Sequence, residues 1–366
     1  MSAATDERAL RSRAADFDWQ SRMLPSRLLG AQSTTRGLVT YGVLFVVVVL
    51  LAALPFMIDT ATMAIATRVL IFALLGIGWN VMSGFGGMFS FGHAAYFGIG
   101  AYTTAACVVH FGISPWIALV IGMALAVVAA LVISWLAFRY RLAGAYYALS
   151  TFAFAEVLML VAEGNDWLHR TDGIGLPVAP GESWWMFNFK LNSPNYYWIA
   201  VAFVGVALAV SISFTRARTG RFVVSVRDDE AAAAAAGINP LRYKLTAVAV
   251  SAAITAAAGM LYMEYYGFVD PTTAFNSSVS NNAIITAVVG GVGTIWGPLI
   301  GAIVTAPLTD LINGFLRNPP AGLEFLHGHS GLDLVVYAAI LIVFVLFLPR
   351  GIYGSITHWI QRKRRK

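Results

Sequence analysis

Charge is what this sequence has least of. Asp, Glu, Lys and Arg supply only 11% of the 366 residues, against 58% hydrophobic residues and a mean hydropathy of +0.73. A water-soluble domain carries about 25% charged residues, so this chain lacks the polar surface to stay in water. Cysteine is nearly absent too. The single one, Cys107, lies within an apolar run, which excludes an intrachain disulfide and any cysteine-based metal cluster. There is no Gly-Lys dipeptide, hence no Walker A phosphate loop, and no HExxH zinc helix. The six histidines are scattered and form no serine–histidine–acid arrangement. The chain is therefore expected to be no enzyme and to bind no cofactor or metal itself, drawing any energy from an ion gradient or from another subunit.

What is present is apolar runs of about 18–25 residues, the length that spans a bilayer as helix. They predict an all-α, polytopic membrane protein of about ten transmembrane or re-entrant helices. The expected spans are 38–56, 62–82, 90–109, 116–138, 145–163, 196–214, 245–265, 282–296, 297–316 and 332–349. "VVGGVGTIWGPLIG" interrupts the hydrophobicity across 282–316, where a pair of short helices and a re-entrant hairpin fit equally well. The organisation is then a cytoplasmic tail over 1–37, a transmembrane domain over 38–349 and a basic cytoplasmic tail over 350–366. The N-terminal segment is too polar and too mixed in charge for a secretory signal.

The net charge of +6 does not point to nucleic acid, because the basic residues flank apolar runs: Arg139 and Arg141, Arg216, Arg218 and Arg221, and Arg362 to Lys366. That distribution marks cytoplasmic loops and places both termini in the cytoplasm. The terminal "QRKRRK" is also suited to anionic lipid headgroups. On the opposite side, the loop 164–195 carries Trp167, Trp184 and Trp185, which serve either as interfacial anchors or as part of a docking surface.

Within the membrane, glycine is dense. "SGFGGMFSFGHAAYFGIGAY" carries glycines at 84, 86, 87, 92, 98 and 100, and "GGVG" occupies 290–293. Close helix packing accounts for most of them. The sharper reading is that Gly84 to Gly92 is unwound or re-entrant, since irregular backbone survives at membrane depth only when buried in protein or lining a cavity. Of the ionisable residues in spans, Arg68 and Glu264 lie near span ends, within reach of the headgroups. Glu156 lies mid-span and calls for a partner across the bundle or a polar substrate group. His93 reads as a hydrogen-bonded packing residue.

One short stretch, "SVRDDEAAAAAAGINPLRYK", separates two spans. Alanine is the best helix former, and Asp228, Asp229 and Glu230 sit where the macrodipole favours acids. Gly237 is placed as a C-terminal cap and Pro240 as a stop. The predicted helix, Asp228 to Ala236, is about 13 Å long. An isolated helix that short is marginal in water, so it docks either on the protein's own face or in a partner's groove.

This stretch resembles the EAA-type coupling loop of ABC importer permeases. With "SGFGGMFSFGHAAYFGIGAYTTA", "YYALSTFAFAEVLML", "TDGIGLP" and "VVGGVGTIWGPLIGA", the chain resembles the LivM-type branched-chain amino-acid permeases over about 62–350, a pattern shared with urea and short-amide permeases. The resemblance implies a second, LivH-like permease, two ABC ATPase subunits that use ATP, and a periplasmic substrate-binding protein, in a bacterial inner membrane. It makes Asp228, Asp229, Glu230, Ala231, Ala233 and Gly237 the ATPase-coupling residues. Gly84, Gly87, Phe91, His93, Glu156, Gly290 and Gly293 become candidates for lining or hinging an alternating-access pathway. The competing reading is an ion-coupled secondary transporter acting alone.

Overall fold

A computed structural model describes residues 34–177, 181–190, 193–317, 348 and 351–364. Among them, seven helices are long and apolar enough to cross a membrane. These are α1 (Thr34–Ala53, extended by the 3-10 turn Leu54–Phe56), α2 (Thr60–Trp79), α3 (His93–Phe111), α4 (Pro115–Arg139), α5 (Ala145–Glu163), α6 (Pro194–Arg216) and α9 (Pro240–Tyr266). Two short helices, α7 (Arg218–Asp228) and α8 (Glu230–Ala235), lie between α6 and α9. After α9 come the single turn α10 (Pro271–Ala274), then α11 (Ser277–Gly290), α12 (Gly297–Arg317) and α13 (Gly351–Arg364).

Three spans start by the same local chemistry. Ser114–Pro115, Ser193–Pro194 and Asn239–Pro240 each place a capping side chain just before a proline. The cap accepts an orphan amide of the first turn, and proline at the first helical position lacks the N–H that would go unpaired there. Pro240 thus opens α9 rather than merely stopping the alanine helix.

The bundle is organised around α9, whose 27 residues pack against α2, α3 and α4. Lipid tails are as apolar as leucine, so burial alone does not join these helices; close backbone approach does. At the α3–α9 crossing the approach is reciprocal. A side chain at Gly100 would strike the carbonyl of Ala256, and one at Gly259 would strike the carbonyl of Phe97. Outside this centre α1 rests mainly on α6, held by Tyr41 Oη to Ser213 Oγ at 2.9 Å and by Tyr197 Oη donating to the Leu51 carbonyl at 2.9 Å.

The interrupted region resolves into a short helix, α11, and a longer one, α12, packed as an antiparallel hairpin, and α12 matches the span expected at 297–316. Gly290 abuts Gly297, and Thr286 abuts both Gly301 and Thr305. The span expected at 282–296 is therefore displaced. The helix starts at Ser277, and Gly291, at φ 130°, ends it and opens a non-helical link to Trp296. The expected span 332–349, apart from residue 348, and most of the tail at 1–37 lie outside the described residues. The segment expected as a basic tail forms α13 from Gly351, packed against α11 and α12.

Both ionisable residues expected near span ends make contacts within the protein. Arg68 Nη1 donates to Asp310 Oδ1 at 2.7 Å, joining α2 to α12. Glu264 is 4% exposed. The loop after α5 folds back over this end of the bundle, where β1 (Ile174–Gly175) pairs antiparallel with β2 (Phe268–Val269) just beyond α9. Trp167, Trp184 and Trp185 stay about half exposed or more, at 49%, 57% and 62%.

Candidate functional site

The functional core begins where α2 loses its regular ladder. From Asn80 to Phe85 the helix widens into a π turn, and the chain from Gly86 to Gly92 is not helical before His93 starts α3. Wide turns of this kind leave backbone groups in need of outside partners. The side chain of Asn80, the first residue of this turn, reaches instead to the non-helical link after α11. Its Oδ1 accepts from the Gly293 amide and its Nδ2 donates to the Thr294 carbonyl, both at 2.8 Å. The two Gly-Gly breaks expected from sequence are thus joined to each other through one side chain.

The non-helical stretch is tied down residue by residue. Trp79 Nε1 donates to the Ser90 carbonyl at 2.9 Å, the Gly92 amide to Ser90 Oγ at 3.1 Å, and the Phe91 amide to Thr151 Oγ1 at 3.3 Å. Phe91 is half-buried, its ring edge-on to Phe89 with centroids 5.2 Å apart. His93 is fully buried. Ser251 Oγ gives its only proton to the Gly78 carbonyl at 2.6 Å, so at 3.0 Å it accepts from His93 Nε2–H. This fixes the tautomer and leaves Nδ1 as a buried acceptor without a partner. His93 is a packing residue with one unused nitrogen.

Beneath this stretch lie α7 and α8. The helix expected over Asp228 to Ala236 is in fact two. Asp228 ends α7, and Asp229, in extended conformation, caps α8 with its Oδ1 accepting from the Ala232 amide at 2.9 Å. Asp228 does not face the α8 dipole; it receives Arg227 Nη2 at 2.7 Å. The other end behaves as expected. Gly237, at φ 82°, donates to the Ala234 carbonyl while Ile238 donates to Ala233, a paired closure that left-handed backbone permits. Glu230 Oε2 holds Lys244 Nζ at 2.6 Å. Ala231 is exposed, whereas Ala233 is turned inward at 5% exposure, so the outward surface of α8 belongs to the other alanines.

Arg227 links the two layers. Its guanidinium is only 4% exposed, and Nη1 donates to the Gly84 carbonyl at 3.3 Å. Its aliphatic stem fills the space a side chain at Gly87 would need, and Gly87 itself sits at φ 73°. A cavity of about 350 Å³ lies between the layers, with Gly86, Gly87 and Met88 on one wall and Arg227, Asp228, Asp229, Glu230 and Lys244 on the other. A continuous chain of contacts thus runs from α8 through Arg227 to Gly84, then through Asn80 to Gly293.

Of the expected pathway residues, the structure brings together Gly84, Gly87 and Gly293, with Gly290 one turn away against Gly297. Glu156 stands apart, half-buried on α5 with no hydrogen-bond partner among the described residues. Asn80 and Arg227 were not singled out from sequence. The signal was there: an amide inside an apolar run is costly in lipid unless paired.

The sequence comparisons agree with this architecture. Residues 61–346 match the family model described as "Branched-chain amino acid transport system / permease component". The high-affinity branched-chain amino acid transport system permease protein LivM of Escherichia coli K12 is 30% identical over 293 residues, covering 74% of this chain and 68% of that protein. LivH of Salmonella typhimurium is 26% identical over 302 residues, or 77% and 91%. The ribose import permease protein RbsC of E. coli K12 is 27% identical over 202 residues, or 52% and 57%. No solved structure matches the chain. With its broken core helix, its glycine-linked hairpin and its short helix pair, this multi-pass membrane protein belongs to the family of branched-chain amino-acid ABC permeases, of the LivM type.

Proposed function

We propose that the chain is the transmembrane subunit of an ATP-driven importer of branched-chain amino acids in a bacterial inner membrane. It pairs with a LivH-like permease, and two ABC ATPase subunits supply the energy from ATP, which this chain does not bind. A periplasmic substrate-binding protein delivers the amino acid at the face opposite the basic loops. Both termini and the α7–α8 pair then lie in the cytoplasm, as the Lys and Arg distribution favours.

One observation carries this reading: the attachment of α7–α8 to the broken core helix through Arg227. Helix α8 exposes mostly methyl groups, and a partner groove can close on them without long side chains in the way. Asp228 pairs with Arg227, Asp229 caps α8, and Glu230 ties α8 to Lys244 of α9. A push on α8 is therefore passed to Gly84 and Gly87 rather than absorbed in a loose loop. Movement of that segment against the Gly290–Gly293 turn opens the pathway to one side of the membrane and then to the other. The decisive assay is leucine uptake in reconstituted vesicles holding the complete set of subunits. Uptake that requires ATP and all subunits is expected. Gradient-driven uptake by this chain alone, without ATP, would overturn the proposal.

A further inference from the structure

At the end of the bundle away from the basic loops lies a second cavity, of about 840 Å³. The loop after α5 forms its roof, the last turn of α9 its floor, and Val108 of α3 and Tyr196 of α6 contribute its sides. That volume falls in the range of small-molecule sites. Its floor holds Glu264, 4% exposed, whose Oε1 is buried without a hydrogen-bond partner. Ionised, this carboxylate would accept hydrogen bonds only and would be costly unmatched, so the group suits a donor-rich cation. The roof carries Lys190, exposed and without an ion pair among the described residues. A third charge, Glu182, lines the exposed roof. Val108, Leu176, Met186 and Phe189 add apolar lining.

We propose that this cavity is a binding site for a zwitterionic amino acid with an apolar side chain, a reading that rests on the importer function above. Glu264 takes the α-ammonium group, with the neighbouring tyrosine rings adding cation–π attraction. Lys190 takes the α-carboxylate as a point charge. The apolar lining receives the side chain and admits aliphatic ones without a polar group to pair. The site thus selects first for the ammonium, which meets the buried group, and second for the carboxylate, which meets a solvated one.

The test uses the purified full-length chain in lipid nanodiscs and three ligands: L-leucine, 3-methylbutylamine, which lacks the carboxylate, and 4-methylpentanoate, which lacks the ammonium. The wild-type chain is expected to bind leucine best, the amine more weakly and the acid not at all. Glu264→Gln should weaken leucine by roughly tenfold to a hundredfold, the usual loss for a charged hydrogen bond. Lys190→Gln, on the exposed roof, should shrink the preference for leucine over the amine while leaving amine affinity unchanged, a result no folding defect would produce. Equal binding of leucine and the acid, unchanged affinity in Glu264→Gln, or no binding of leucine to the wild-type chain would each overturn the site. Leucine uptake by the complete importer is read separately. Its persistence in any of those cases leaves the transport function standing, and its absence with binding intact overturns the function and not the site.

Discussion

Asn80 and Gly293, 213 residues apart in sequence, are joined by a 2.8 Å hydrogen bond inside the bundle, and the same side chain reaches the next carbonyl at Thr294. One carboxamide thus satisfies two backbone groups on a turn that has no ladder of its own. The pairing requires a donor and an acceptor on the same side chain, at one length.

Asn80→Leu should leave the Gly293 amide and the Thr294 carbonyl unpaired, at about 1–3 kcal/mol each. Asn80→Asp keeps the acceptor and loses the donor, so it should fall between Leu and wild type. Thermal unfolding in detergent gives the order; equal midpoints for Leu and wild type would show the bridge to be dispensable.

Arg227→Lys keeps the charge but loses the fork that reaches Gly84 and Asp228 together. Arg227→Ala loses both. Protease cleavage within 215–244 should accelerate in both variants, more in Ala, while the membrane core stays folded. Uptake by the complete importer should drop by about tenfold or more, for a lost contact of about 1.5–3 kcal/mol. Full uptake together with faster cleavage would separate the docking of α7 from transport.

Gly100→Leu and Gly259→Leu each drive a side chain into the backbone of the facing helix. Overpacking costs about 1–3 kcal/mol per site where neighbours adjust, and more where the obstacle is backbone. Gly42→Leu is the internal control, because nothing lies within 4 Å of that position. Yield of monodisperse protein should fall for the first two and hold for the third.

Arg68→Leu or Asp310→Asn alone strands a partly buried charge, for a loss of about 1–3 kcal/mol. The double variant should be less destabilised than the sum of the two. A double-mutant cycle by thermal unfolding measures the coupling. Strict additivity would mean that the 2.7 Å pair contributes nothing.

These residues also mark where local sequence ceased to be informative. The C-terminal closure of the alanine helix was legible, because Gly237 and Ile238 bond to carbonyls three and five residues back. Its start was not. "VRDDEAAAAAA" favours helix throughout, and the break at Asp229 follows from Arg227 being drawn into the core, a contact 143 residues long in sequence. Both glycine-rich breaks were visible as weak points, but nothing local indicated that one asparagine would join them. Glu264 and Arg68 were placed near the headgroups by their distance from span ends. Their surroundings come from distant segments: a loop folded over Glu264, and Asp310, 242 residues from Arg68.

The π turn at Asn80 to Phe85 has a consequence for helical phase. Such a turn holds one residue more than the regular ladder needs, so every side chain beyond it is rotated by about 100° relative to an unbroken helix. Deleting one residue there would restore a seamless helix while turning Gly84 and Gly87 away from Arg227. A straighter and better-bonded α2 would then be the one uncoupled from the layer beneath it.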